Sequence, residues 1–288
     1  MYKNIALEIF ATFKSNFIPI LKIMILPVLL LMSISSISNY LLYKYINDGT
    51  SGITIQITMS ISTLTSILIG IIMLMTIYKC ILEDNQENKS FTAFFKAFKS
   101  KEVEWFIINF VLVTIGFALA AAVIFFTINF MVILIDVDKS VGPIIAVILG
   151  ITLAALIYYA RVIIILPATA TGDRIDLLEA FRLTGDYKLL SLFVIFVMPF
   201  IFVAVLFIIV VLLLTAITYT VEGLYIIFIS LVFNSIFGVA ITIFTNVCIS
   251  VLYKHIKQNS TENTAEQVEE TTTENEEIIT PLTNNLKS

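Results

Sequence analysis

Residues 189–218 read LLSLFVIFVMPFIFVAVLFIIVVLLLTAIT, and none of them is ionisable. A helix crosses the hydrocarbon core with about 20 apolar residues. Because backbone amides there must bond one another, only helices and closed barrels can span. An unbroken run of this length is a helix signature, since strands are shorter. The rest of the chain has the same character: 59% of residues are hydrophobic, 13% are charged, and the mean hydropathy is +1.02. That balance excludes an ordinary soluble domain.

Working outward, five more segments qualify, so spans are expected near 17–42, 57–81, 105–135, 141–168, 189–218 and 224–253. The fold class is therefore all-α, a polytopic helical membrane protein. ITIQITMSIS (53–62) departs from the pattern by alternating apolar and polar residues with the period of a strand. A lone strand cannot cross a bilayer, so these residues are expected to be extended or frayed, with helix beginning near Met59.

Lys3, Lys14, Lys79, Lys89, Lys96, Lys99, Lys101, Arg174, Arg182, Lys188, Lys254, Lys257 and Lys287 fall on one side of these spans; Lys44 and Lys139 fall on the other. The positive-inside rule makes the first side cytoplasmic, together with both termini. The outer connections are short, which places partner contacts on the cytoplasmic face. The first apolar run begins too late and lasts too long for a secretory signal, and reads as the first span. Cys80 and Cys248 lie near cytoplasmic span ends, where a disulfide is not expected. With His255 the chain's one histidine and no CxxC, neither a metal site nor a cofactor is expected.

Three segments resemble one another: ALEIFATFKSNF (6–17), FTAFFKAFKSKE (91–102) and DLLEAFRLTGDY (176–187). They suggest three repeated units, each an amphipathic helix followed by a transmembrane hairpin. In the second copy Phe91, Phe94, Phe95 and Phe98 follow the i, i+3, i+4, i+7 spacing, with Lys96, Lys99 and Lys101 off the stripe. In the third, Leu177, Leu178 and Phe181 are set against Asp176, Glu179 and Arg182. Both read as interfacial helices against membrane lipids. Asp173 is the expected N-cap of the third.

Arg161 lies at the end of an apolar run. It either snorkels to the headgroups or faces a vestibule, where its planar fork would bind a phosphate or carboxylate. Ser230, Asn234, Gly238, Thr242, Asn246 and Ser250 recur at every fourth position of the last span. Such a ridge suits close helix packing; lined by water, Asn234, Thr242 and Asn246 would instead join Arg161 around a ligand. Gly116 with Ala120, and Gly150 with Ala154, form further small-residue contacts, while Pro27 and Pro199 mark possible kinks.

The membrane domain occupies 1–257. Residues 258–288 hold seven glutamates, one lysine and no aromatic residue, and are expected to be a disordered acidic tail. Without it the formal charge moves from −4 to +2.

An arginine separated by five residues from a proline-alanine pair, an acid, then an alanine-centred helix ending in RLT (Arg161, Pro167, Ala168, Asp173, Ala180, Arg182, Thr184) resembles a bacterial six-helix membrane family. That family includes the membrane domain of some glycerophosphodiester phosphodiesterases and the YciC-type inner-membrane proteins. The resemblance implies a module of the bacterial cytoplasmic membrane without a reaction of its own, since catalysis in the fused members belongs to a separate soluble domain. The residues agree, for acid-base or metal chemistry needs more than one histidine beside a membrane. A scaffold or adaptor with a membrane or cytoplasmic protein partner is the leading expectation. A transporter or lipid-handling protein for an anionic or phospholipid-like ligand is the alternative, and nothing points to nucleic acid.

Overall fold

The computed structural model describes residues 1–49, 52–83, 85–138, 141–218 and 236–261. Helices dominate: α1 (Tyr2–Asn47), α2 (Gly52–Leu82), α3 (Ala93–Phe98), α4 (Val103–Asp138), α5 (Val141–Val162), α6 (Ile165–Ala170), α7 (Leu177–Leu183), α8 (Lys188–Leu192) and α9 (Met198–Thr218). A further helix, α10, is described over Ile236–Thr261. Six stretches are long and apolar enough to span: α1, α2, Val103–Phe130, Ala146–Ala170, Lys188–Leu213 and α10. The chain is a multi-pass, all-α membrane protein.

The helices pack tightly at one end. Ile5, Ile9, Met75, Tyr78, Phe106, Ile164, Val194, Phe244 and Leu252 are buried there, whereas Tyr40, Ile53, Phe126, Leu149 and Phe207 are exposed. α10 is the hub, since 56% of its most apolar window is buried against 6% for α4. Its Phe244 stacks on Phe202 of α9 with centroids 4.0 Å apart and meets Phe13 of α1 edge-on at 5.3 Å. Lys254 and Glu8 lie 3.6 Å apart, so the start of α1 and the end of α10 share this packed end. α6 bridges α2 and α4.

Several expectations are corrected. Residues 53–62 are helical from Gly52 onward, and Thr58 Oγ1 donates to the Thr54 carbonyl at 2.9 Å, so that hydroxyl is satisfied within the helix. The first repeat copy is not a separate interfacial helix but the beginning of α1. No turn intervenes: Ser15 and Asn16 side chains bond the Thr12 carbonyl instead of capping a new start, and the helix continues through Pro19 and Pro27. Pro199 follows a π turn over Phe193–Val197, where the Met198 N–H reaches the Phe193 carbonyl. That wider turn precedes a residue with no N–H to donate.

In α3 the expected stripe divides. Phe94 is buried with Ala97 against Ile72, Ala93 joins the main core, and Phe91, Phe95 and Phe98 are about half exposed. Phe91, Phe95 and Phe98 recur at i, i+4, i+7 and form the outward face; Phe94 anchors the helix to its neighbours. Gly116 meets Tyr158 of α5, where an added Cβ would stand 3.1 Å from Tyr158 Oη, but a Cβ added at Gly150 would meet no neighbouring helix within 4 Å.

Candidate functional site

The segment joining α5 to α8 gathers most of the polar chemistry. Arg161, in the last turn of α5, does not reach outward. Its Nε donates to Thr184 Oγ1 at 3.0 Å, its Nη2 donates to the Phe181 carbonyl, and its Cζ sits 4.4 Å from the Phe181 ring centroid. Helices leave their last carbonyls without intrahelical donors, and cations are favoured at that end of the dipole. Arg161 therefore caps α7, a helix too short to be stable alone. Neither snorkelling nor a vestibule describes this geometry.

The other end of α7 is fixed by Asp176, whose Oδ1 accepts the Glu179 N–H at 2.7 Å. Asp176, rather than the expected Asp173, is the N-cap. The shift arises one turn upstream, where α6 ends in a Schellman motif. Gly172 has φ +87°, its N–H bonds the Thr169 carbonyl at 3.2 Å, and the Asp173 N–H bonds the Ala168 carbonyl at 3.0 Å. This reversal sends Asp173 toward α10. Its carboxylate accepts hydrogen bonds from Tyr253 Oη and from Lys257 Nζ, the latter at 2.5 Å. Burial pushes the Asp173 carboxyl up, but the bonds from Lys257 and Tyr253 outweigh it and hold the group below the usual carboxylate range.

The same loop lines three clefts, all of which share Arg174. The largest, about 560 Å³, opens between α4 and α7 beside Trp105, Ile108, Asn109, Leu112 and Leu178. Asn109 Nδ2 donates to Thr169 Oγ1 at 2.9 Å, tying α4 to α6. Lys79 of α2 pairs with Glu102 at 3.0 Å, just before α4. Burial raises the Glu102 carboxyl, but Lys79 leads the interactions that bring it below the ordinary value.

The polar row of the last span is turned onto its own backbone. Thr242 Oγ1, Asn246 Nδ2 and Ser250 Oγ donate to the carbonyls of Gly238, Thr242 and Asn246, each at 2.8 Å. Ser230 and Asn234 lie outside the described residues, as does the tail beyond 261. Among the described residues, Arg161 bonds the end of α7 while Thr242 and Asn246 bond α10 itself. In the α7 segment Phe181 is held under Arg161 and against Tyr158, with centroids 5.5 Å apart. Leu178 is exposed, Leu177 borders the large cleft, and Arg182 points outward.

Sequence reading missed Gly172, Trp105, Arg174 and the Asp173–Tyr253–Lys257 cluster. A glycine directly after an apolar helical run is the signal for Gly172. The others come from residues far apart in sequence. A second omission is a groove of about 490 Å³ between α1 and α2, lined by Ser35, Ser38, Asn39, Ser62, Thr63 and Ser66. Cys80 and Cys248 are buried free thiols. Among the described residues no three of His, Cys, Asp and Glu gather as metal ligands. Comparison of the chain with family models, curated proteins and solved structures returned no match.

Proposed function

We propose that the chain is a scaffold or adaptor of the bacterial cytoplasmic membrane, belonging to the six-helix family it resembles, with both termini in the cytoplasm. One observation carries this reading: the polar groups a transporter would present to cargo are engaged in holding the chain together. Arg161 caps α7, and Thr242, Asn246 and Ser250 bond their own helix. The motif behind the family reading is also physically coherent, since Arg161 bonds Thr184 while Pro167, Ala168 and Ala180 are buried beneath it.

Orientation follows from charge. Lys96, Lys99, Lys101, Arg182, Lys188 and Lys254 are all exposed at the packed end, the side the positive-inside rule assigns to the cytoplasm. These cations and the acidic 258–288 segment present both signs of charge to a protein partner, the pattern that steers association. No catalytic role is proposed.

Native mass spectrometry of the full chain, extracted with its surrounding lipid, tests the reading. A stoichiometric protein partner that is lost when residues 258–288 are removed is the expected result. A small anionic metabolite retained in place of any partner, and lost in Arg161→Gln, would replace the scaffold with a transporter.

A further inference from the structure

Arg174 is exposed, and its Cζ lies 5.5 Å from the Trp105 ring centroid. Among the described residues it makes no hydrogen bond or salt bridge. The neighbouring acids are already engaged: Asp176 caps α7, Glu102 pairs with Lys79, and Asp173 binds Tyr253 and Lys257. An adjoining cleft brings Lys101 to the same side of Trp105. Arg174 thus lines the 560 Å³ cleft, and Lys101 lines the adjoining one that shares Trp105, Thr169 and Arg174 with it, where Glu102 and Asp173 are already paired with other cations.

Asn109, Thr169 and the α7-capping Asp176 are the other polar residues of the cleft, and the rest of its lining is apolar. Trp105 occupies the first turn of α4, and Ile108, Leu112, Ile115 and Leu119 continue along the span at i, i+4, i+7 and i+11, each 46–63% exposed. Leu178, 82% exposed, faces the opening from α7. The gradient runs from cations at the span end to a continuous apolar stripe, which is the polarity of an anionic lipid seated in a leaflet. A cleft of this size lies within the range that ordered ligands occupy, about 300–1,000 Å³.

We propose that this cleft holds one anionic phospholipid, its phosphate against Arg174 and Lys101 and one acyl chain along Ile108, Leu112 and Ile115. Arginine suits the phosphate through its planar fork, and Trp105 suits the glycerol level, where amphipathic rings gather. The scaffold reading is not required: the lipid site stands or falls on this cleft alone.

Trp105 is the chain's only tryptophan, so it reports on its own site. The full chain is reconstituted in bilayers, and quenching of Trp105 by phosphatidylglycerol with brominated acyl chains is compared with quenching by brominated phosphatidylcholine at equal mole fraction. Each curve is normalised to the same protein in unbrominated lipid. The expected preference for phosphatidylglycerol is about fivefold in relative association, the factor one basic residue supplies near an anionic surface. Arg174→Gln should remove most of it, Lys101→Gln part of it, and Arg174→Lys should restore some. Equal quenching by the two lipids, or a preference unchanged in Arg174→Gln, would overturn the proposal. So would loss of the preference on adding inorganic phosphate, which would mean that the cleft takes the anion alone.

Discussion

Arg161 and Arg174 belong to one continuous segment, yet the fold treats them in opposite ways. Arg161 is half-buried, its donors directed to Thr184 and the Phe181 carbonyl and its face against the Phe181 ring. Arg174 is exposed, with Trp105 beneath it and, among the described residues, no ion pair to the acids around it. The difference lies in the path of the chain around each residue. Arg161 ends a helix whose chain returns to place the carbonyl end of α7 within reach. Arg174 comes after the left-handed turn at Gly172, which sends Asp173 to α10 and leaves its neighbour facing the cleft. An arginine at the end of an apolar run is thus structural here, and the one in the loop is available to a ligand.

The largest expected effect breaks the first half of this comparison. Arg161→Leu leaves the Phe181 carbonyl and Thr184 without their donor. A hydrogen bond from a charged group contributes about 1.5–3 kcal/mol, so the loss should be about 2–4 kcal/mol, read as a lower unfolding midpoint in detergent. Arg174→Gln should leave that midpoint within about 0.5 kcal/mol, as exposed substitutions usually do.

Gly172→Ala tests the turn that separates the two arginines. The closest atom to an added Cβ is Glu102 Cγ at 3.9 Å, so the penalty is conformational rather than steric. A non-glycine residue in the left-handed region costs about 1–2 kcal/mol, again visible in the midpoint.

Asp173 sharpens the picture through pH. Its folded-state value is depressed, so its contribution is present above the unfolded carboxylate value near 3.8 and is lost as pH falls through the lower folded value. Acid titration of the unfolding midpoint should therefore show a loss below about pH 4 that Asp173→Asn reduces, the part due to Glu102 remaining. Tyr253→Phe should reduce that loss and cost about 1 kcal/mol at neutral pH. The smallest effect belongs to Thr242→Val, expected within about 0.5 kcal/mol because the hydroxyl bonds only its own helix.

These contrasts also mark what was legible in the sequence. The spans were, because a run such as 189–218 has one physical solution in hydrocarbon. So was the spacing of Phe91, just before α3, with Phe95 and Phe98 on it, all three turned outward. Phe94 was not, since helical spacing cannot distinguish a lipid-facing phenylalanine from one that meets Ile72 of α2. Residues 53–62 misled because alternation is also tolerated in a helix when threonines bond back to their own carbonyls. The candidate site was hidden most completely. Arg161 stands out as a charge in an apolar run, but its partners come from α7. Trp105 and Arg174 meet only because α6 turns the chain back against α4.

Hydrogen exchange at the α7 amides, compared between the native chain and Arg161→Leu, tests most directly whether Arg161 is a clamp. The clamp predicts that exchange over 177–184 quickens by at least about tenfold, the factor that 1.4 kcal/mol represents, while the α1–α2 pair keeps its protection. Unchanged protection of α7 in the variant would contradict it and return Arg161 to the residues available for a ligand.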